Sequence, residues 1–232
     1  MSKIIPLYHG SQHIVEKPVF GEGSPMNDYG LGFYCTRELD LAKEWACTDK
    51  RSGFSNQYEF DLTDLSVMRL SSEEYHILNW LALLLNNRRF SVSNDVAGEG
   101  RAYLLSKFLP NISGFDVIVG YRADDSYFAF ANAFLNSTLS LEQLGMAMRL
   151  GKLGEQTVLI SQKSFGQIKF IKSEFADREI YYPTKNAKDK EARDALKKER
   201  GIGRTLDAVY ILDILRERWE SNDSRIPRNL SK

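Results

Sequence analysis

Two short stretches decide the reading of this chain: Leu7-Tyr8-His9-Gly10-Ser11 and, about twenty residues on, Gly30-Leu31-Gly32-Phe33-Tyr34-Cys35-Thr36. Ile4 to His9 has the apolar character of a strand, and Gly32 to Cys35 reads as a second short strand ending at Thr36. Thr36 is a suitable N-cap for a helix over Arg37 to Cys47, with Glu38 and Asp40 in the first turn and Trp45 near its end. A histidine and a glycine closing one strand, with a glycine-flanked aromatic on the next, suit a pocket for a flat cationic ring. The ring stacks on aromatic faces, and the glycines let main-chain groups come close.

Outward from there, strands and helices follow in mixed order. Gly21 to Asn27 is a loop, and Tyr58 to Leu62 alternates like a half-buried strand. Ser72 caps a helix predicted over Glu73 to Phe90, and a shorter helix is expected over Ala102 to Leu109, before Pro110. Phe115 to Gly120 reads as a buried strand. Ala123-Asp124-Asp125 then opens a helix reaching about Leu135, and Leu141 to Leu150 forms another. Strands are predicted at Gln156–Ser161 and Gln167–Ile171, joined by a single helical turn, with one more over Glu179–Tyr182. After Pro183 the composition shifts to a charged helix, Asn186 to Arg200, then a Gly201-Ile202-Gly203 break and an amphipathic helix from Leu206 to Trp219. Without a regular βα repeat, this order argues an α+β fold. The expected division is a domain over 1–184 and a charged helical extension over 185–232, packed on that domain or on a partner.

Composition narrows the function classes. The 232 residues carry 31 Lys plus Arg and 31 Asp plus Glu, so no global field draws the protein to nucleic acid. The two cysteines, Cys35 and Cys47, have no ligand spacing, which argues against a disulfide scaffold and a structural zinc. Neither a signal peptide nor an apolar run long enough to span a membrane is evident, so a cytoplasmic protein with no membrane partner is expected.

These residues resemble the nicotinamide pocket of ADP-ribosyltransferases, in the branch shared by diphtheria toxin and the poly(ADP-ribose) polymerases. The resemblance implies a split β-sandwich around an NAD-binding cleft, with helices inserted into it. It implies that His9 holds the adenine-side ribose and that the Gly10 main chain, beside Ser11, holds the nicotinamide carboxamide. Tyr34, within Gly32-Phe33-Tyr34, matches the aromatic that stacks on nicotinamide, and Trp45 matches a second aromatic eleven positions later. Where the polymerase branch often has a carboxamide-contacting serine, this chain has Ala42. Asp28, before Tyr29-Gly30, either makes an Asx-turn or reaches the ligand.

The catalytic position departs from the family pattern. There a glutamate opens a strand at the cleft floor and steadies the positive charge that develops as nicotinamide leaves. In Gly154-Glu155-Gln156-Thr157-Val158-Leu159-Ile160 the matching residue is Gln156, with Glu155 sent to the opposite face by strand alternation. A neutral amide accepts a weaker hydrogen bond than a carboxylate. Three readings stay open: transfer of one ADP-ribose with negative charge supplied from nearby, a register slip that brings in Glu155, or binding without chemistry. Asp124 and Asp125 are candidates for that charge or for orienting an acceptor, and equally for capping the following helix. No third ligand accompanies them, so no metal is assigned.

The chain is also similar to small bacterial proteins of this fold with a Leu-Tyr-His-Gly-Ser start, an Asp-(Phe/Tyr)-Gly-x-Gly-Phe-Tyr-x-Thr loop, and an Ala-Asp-Asp after a strand. A Gln-initiated strand and a closing Lys-Phe-Ile-Lys-Ser-Glu complete the pattern. Here they are Asp28–Thr36, Ala123–Asp125, Gln156 and Lys169–Glu174, within a match over residues 4 to 182. That likeness implies a mono-ADP-ribosyltransferase using NAD as substrate on a macromolecular acceptor, as a toxin or effector component with a neutralising antitoxin. An NAD glycohydrolase and a non-catalytic NAD- or protein-binding module are the competing expectations.

Overall fold

The structure is a computed structural model that describes residues 3–91, 94–123, 125–150, 154–201 and 207–228. It is α+β, with seven strands in two sheets among the described residues. One sheet contains β1 (Ile4–Ser11), β3 (Gly53–Asp61) and β7 (Ile168–Ala176), in the order β1-β3-β7 and antiparallel throughout. The other contains β2 (Phe33–Cys35), β4 (Val67–Arg69), β5 (Val117–Tyr121) and β6 (Glu155–Leu159), in the order β2-β6-β5-β4. Only its β4–β5 pair is parallel. An isolated antiparallel bridge between Tyr8 and Thr36 joins the two sheets.

The sheets bury one face of each against the other. Leu7 and Phe60 from the first meet Cys35, Val117, Val119 and Leu159 from the second. Alternation does the sorting: Phe33 and Cys35 turn toward this interior, and Tyr34 turns to the far side of its sheet. Helix α1 (Leu39–Ala46) covers the outer face of the first sheet. It can lie close because Gly10 and Gly53 present no side chain to it; a Cβ on Gly53 would meet the Ala46 carbonyl at 2.3 Å. The short α6 (Gln162–Phe165) links β6 to β7.

The chain forms two compact units, one of Met1–Arg69, Ile112–Arg122 and Leu153–Lys188, the other of Leu70–Asn111, Ala123–Lys152 and Asp189–Lys232. This differs from the expected division at 184/185. The excursions between β4 and β5 and between β5 and β6 carry apolar helices, and these build a core of their own. That second unit contains α2 (Ile77–Asn87), α3 (Asp95–Lys107), α4 (Asp125–Leu135), α5 (Leu141–Leu150) and α8 (Ile211–Arg216). In it α3 packs on α2, α4 and α8, so close to α8 that a Cβ on Gly100 would meet Ile211 at 2.8 Å.

Several local expectations are corrected. Thr36 does not cap α1: its main chain is held extended by the bridge to Tyr8, and it lies two residues before the cap position, its hydroxyl accepting from the Glu38 amide at 3.2 Å. Helix α2 starts at Ile77, not Glu73, and α3 starts at Asp95, where Asn94 accepts from the Ala97 amide at 2.8 Å. The strand expected at Glu179–Tyr182 is the first turn of α7 (Arg178–Gly201). Asp177 drives that outcome, its carboxylate accepting from the Glu179 amide and its carbonyl from the amides of Ile180 and Tyr181. Tyr181 and Tyr182 then pack on Ala46, Cys47 and Ala176. The final amphipathic helix is confined to α8, and Leu206 lies outside the described residues.

Candidate functional site

Most of the residues that the sequence singled out lie in the first unit. His9 lies near the end of β1, with its Nδ1 at 2.7 Å from the Tyr34 carbonyl oxygen. A carbonyl can only accept, so Nδ1 carries the proton and the neutral ring keeps Nε2 as an acceptor. Burial lowers the His9 pKa, and the Tyr34 bond only partly offsets it. The imidazole also lies 4.4 Å from the Phe33 ring, tilted by 33°. Phe33 itself packs edge-on to Tyr58 and beside Phe165, so its role here is in the sandwich interior.

Gly10 follows on the face covered by α1. Its main-chain groups point the same way as those of Tyr8, toward the Thr36 strand and away from β3. A Cβ here would meet the Ala42 carbonyl at 2.1 Å and Trp45 Cβ at 2.9 Å, so Gly10 and Trp45 are direct neighbours. Ser11 accepts from the His13 amide at 3.2 Å and starts the turn out of β1.

Tyr34 anchors the preceding loop. Its hydroxyl donates to the Gly30 carbonyl at 2.7 Å and accepts from the Tyr29 amide at 3.1 Å. Gly30 has φ +78, a left-handed conformation that suits glycine in this turn. Gly32 lies against β6, where a Cβ would meet Val158 at 2.7 Å. The buried Tyr29 donates its hydroxyl to the Tyr121 carbonyl at 2.7 Å, tying the loop to the end of β5.

Gln156 lies on the same face of its sheet as Tyr34, because Tyr34 pairs with Val158 two residues along. It is 3% exposed. Its Nε2 donates to Asp28 Oδ2 at 2.9 Å and to the Tyr121 carbonyl at 3.3 Å. Both partners are acceptors, so the amide orientation is fixed and Oε1 is the end left to accept. Glu155 is exposed and on the opposite face. Asp28, 5% exposed, has its carboxylate bonded to the amide at the expected catalytic position.

On α1, the Trp45 indole carries the Arg122 guanidinium at 4.9 Å from its ring centroid. Trp45 Nε1 is buried with no hydrogen-bond partner among the described residues. A planar cation therefore already lies on one face of the indole at the expected nicotinamide position.

Asp125 begins α4 in the helical unit, and Asp124 lies outside the described residues. Among the described residues no group of three or more His, Cys, Asp or Glu is arranged to hold a metal, and both cysteines are buried thiols. No helix among them is long and apolar enough to cross a membrane. Sequence reasoning missed Tyr29, Tyr121 and Arg122. Tyr29 lies inside a motif already quoted, and Tyr121 ends a strand one residue past its predicted limit. Nothing local marks Arg122.

Residues 5–170 match the model of a family described as protein of unknown function (DUF3990), and the chain belongs to that family. No curated protein and no solved structure matches it.

Proposed function

We propose that this DUF3990 member is an NAD-dependent mono-ADP-ribosyltransferase of the split-sandwich fold that modifies a macromolecular acceptor. In the reaction the bond between the ribose C1′ and the nicotinamide nitrogen breaks, and its electron pair leaves with nicotinamide. A nucleophilic oxygen or nitrogen of the acceptor bonds to C1′ and gives up its proton. His9 holds the adenine-side ribose through Nε2, the Gly10 main chain holds the carboxamide, and Tyr34 and Trp45 face the nicotinamide ring. Gln156 accepts from the ribose 2′-hydroxyl through Oε1.

One observation carries the reading: Gln156 shares a sheet face with Tyr34, and both its amide hydrogens are engaged, so its oxygen is the acceptor. Support also comes from the contacts that link His9 to Tyr34 and set Trp45 beside Gly10. The toxin or effector role, an antitoxin partner and a cytoplasmic setting rest on the resemblance at Asp28–Thr36 and Lys169–Glu174.

Labelled NAD incubated with the pure protein and total cell extract tests the proposal. Label should appear on a macromolecule with release of nicotinamide, and its loss on nuclease or on protease digestion then assigns the acceptor class. Free ADP-ribose without any extract would make the protein an NAD glycohydrolase. The neutral side chain at 156 favours a second reading, NAD binding without transfer, which predicts binding but no nicotinamide at all.

A further inference from the structure

We infer that Asp28 is a positioning residue for the same reaction: its carboxylate, held on Gln156 Nε2, turns the glutamine oxygen away from itself and lends it the negative charge that a glutamine lacks. The inference rests on the proposed transferase reading. It starts from the 2.9 Å bond between two side chains 128 residues apart, each at most 5% exposed.

A buried carboxylate next to an amide has two physical effects. It selects one of the two amide orientations, since Nε2 must face it and Oε1 must face away. It also polarises the amide, because a hydrogen bond to an ion strengthens the acceptor at the other end of the same group. A hydroxyl of a bound ribose would then donate to an oxygen more negative than that of a free glutamine. The carboxylate is one group further from C1′ than a catalytic glutamate would be. In a site screened from water its attraction for the oxocarbenium-like state is weakened by that distance rather than lost. The Tyr29 hydroxyl and the Tyr34 hydroxyl fix the loop that carries Asp28, so the carboxylate is held at this position by its neighbours. The glutamine and the aspartate together take the part that a single carboxylate plays elsewhere in such chemistry.

The test compares nicotinamide release from NAD, with cell extract as acceptor, by the native chain, Asp28→Asn, and the double variant Asp28→Asn with Gln156→Glu. Asp28→Asn is nearly isosteric and can still accept from Gln156, so its melting temperature should stay close to native. Its kcat should fall about 10- to 100-fold, with KM for NAD changed by less than about threefold. The double variant returns a carboxylate at 156 and a donor at 28, and should recover to within about tenfold of the native rate. A purely structural Asp28 gives no such recovery. Release by Asp28→Asn within about twofold of native overturns the inference, as does a folded double variant no faster than the single one. Should Asp28→Asn not fold, the double variant alone decides, with a rate below about a hundredth of native counting against the pair. A native chain that releases no nicotinamide overturns the transferase reading itself, and this inference with it.

Discussion

Gly10 of β1 lies so close to Ala42 of α1 that a β-carbon on the strand residue would meet the helix carbonyl at 2.1 Å. The glycine expected to approach a ligand is thus also the seat of a helix. Because the clash is with main chain, neither a rotamer change nor a small side-chain shift relieves it. Gly10→Ala is expected to cost about 3 kcal/mol or more by forcing strand and helix apart. Urea unfolding measures this, and an unchanged midpoint would show that the helix docks with slack.

Tyr34→Phe keeps the ring face and removes the hydroxyl that holds the Gly30 carbonyl and the Tyr29 amide. A loss of about 1–3 kcal/mol is expected. Limited proteolysis should cleave the segment before Phe33 faster, and equal cleavage rates would mean that the loop is held by other contacts.

Arg122→Met takes the guanidinium off Trp45 and leaves an aliphatic chain in its place. If Arg122 occupies the face that nicotinamide uses, the substitution should tighten nicotinamide binding about two- to tenfold, matching a cation–π contact of about 0.5–1.5 kcal/mol. Quenching of tryptophan fluorescence during a nicotinamide titration reads the change. Weaker binding would make Arg122 a ligand contact.

In the helical unit His76 is 1% exposed, with Nε2 at 3.1 Å from the Ser221 carbonyl and Nδ1 buried without a partner among the described residues. Burial lowers its pKa to about 4, the Ser221 bond opposing and Arg228 adding to the effect. Between about pH 6.5 and pH 4 the unfolded chain binds this proton and the folded chain does not. Stability from His76 is therefore complete above that window and falls as the pH drops through it. Urea midpoints should decline from pH 7.5 to 4.5 by an amount worth about 2–3 kcal/mol more in the native chain than in His76→Gln. Parallel declines would assign the acid sensitivity to other groups, His9 among them, since its pKa is lowered as well.

The strand-turn motifs around His9 and Tyr34 were legible in the sequence because a short strand announces its inward and outward residues by alternation. So was Gln156 against Glu155, once the flanking Val158 and Leu159 set the register. Helix α3 was legible only in its second half: Gly98 and Gly100 interrupt its start, and it carries no apolar stripe. Strand β4 has three residues and pairs in parallel with residues fifty positions on, so no local turn marks it. Tyr181 and Tyr182 favour strands by intrinsic preference, and Asp177 overrode that preference with helix-starting hydrogen bonds. The bond from Gln156 to Asp28 had no local signature at all. Each residue was noted for a separate reason, and only folding brings them together.

Strand β6 lies between β2 and β5, its two neighbours in the sheet. It is the last of these three to leave the ribosome, and in this sheet β2 has its ladder partner only in β6, so β2 and β5 cannot be joined before β6 has been made. Whatever chemistry this protein performs must wait until translation has delivered that central strand.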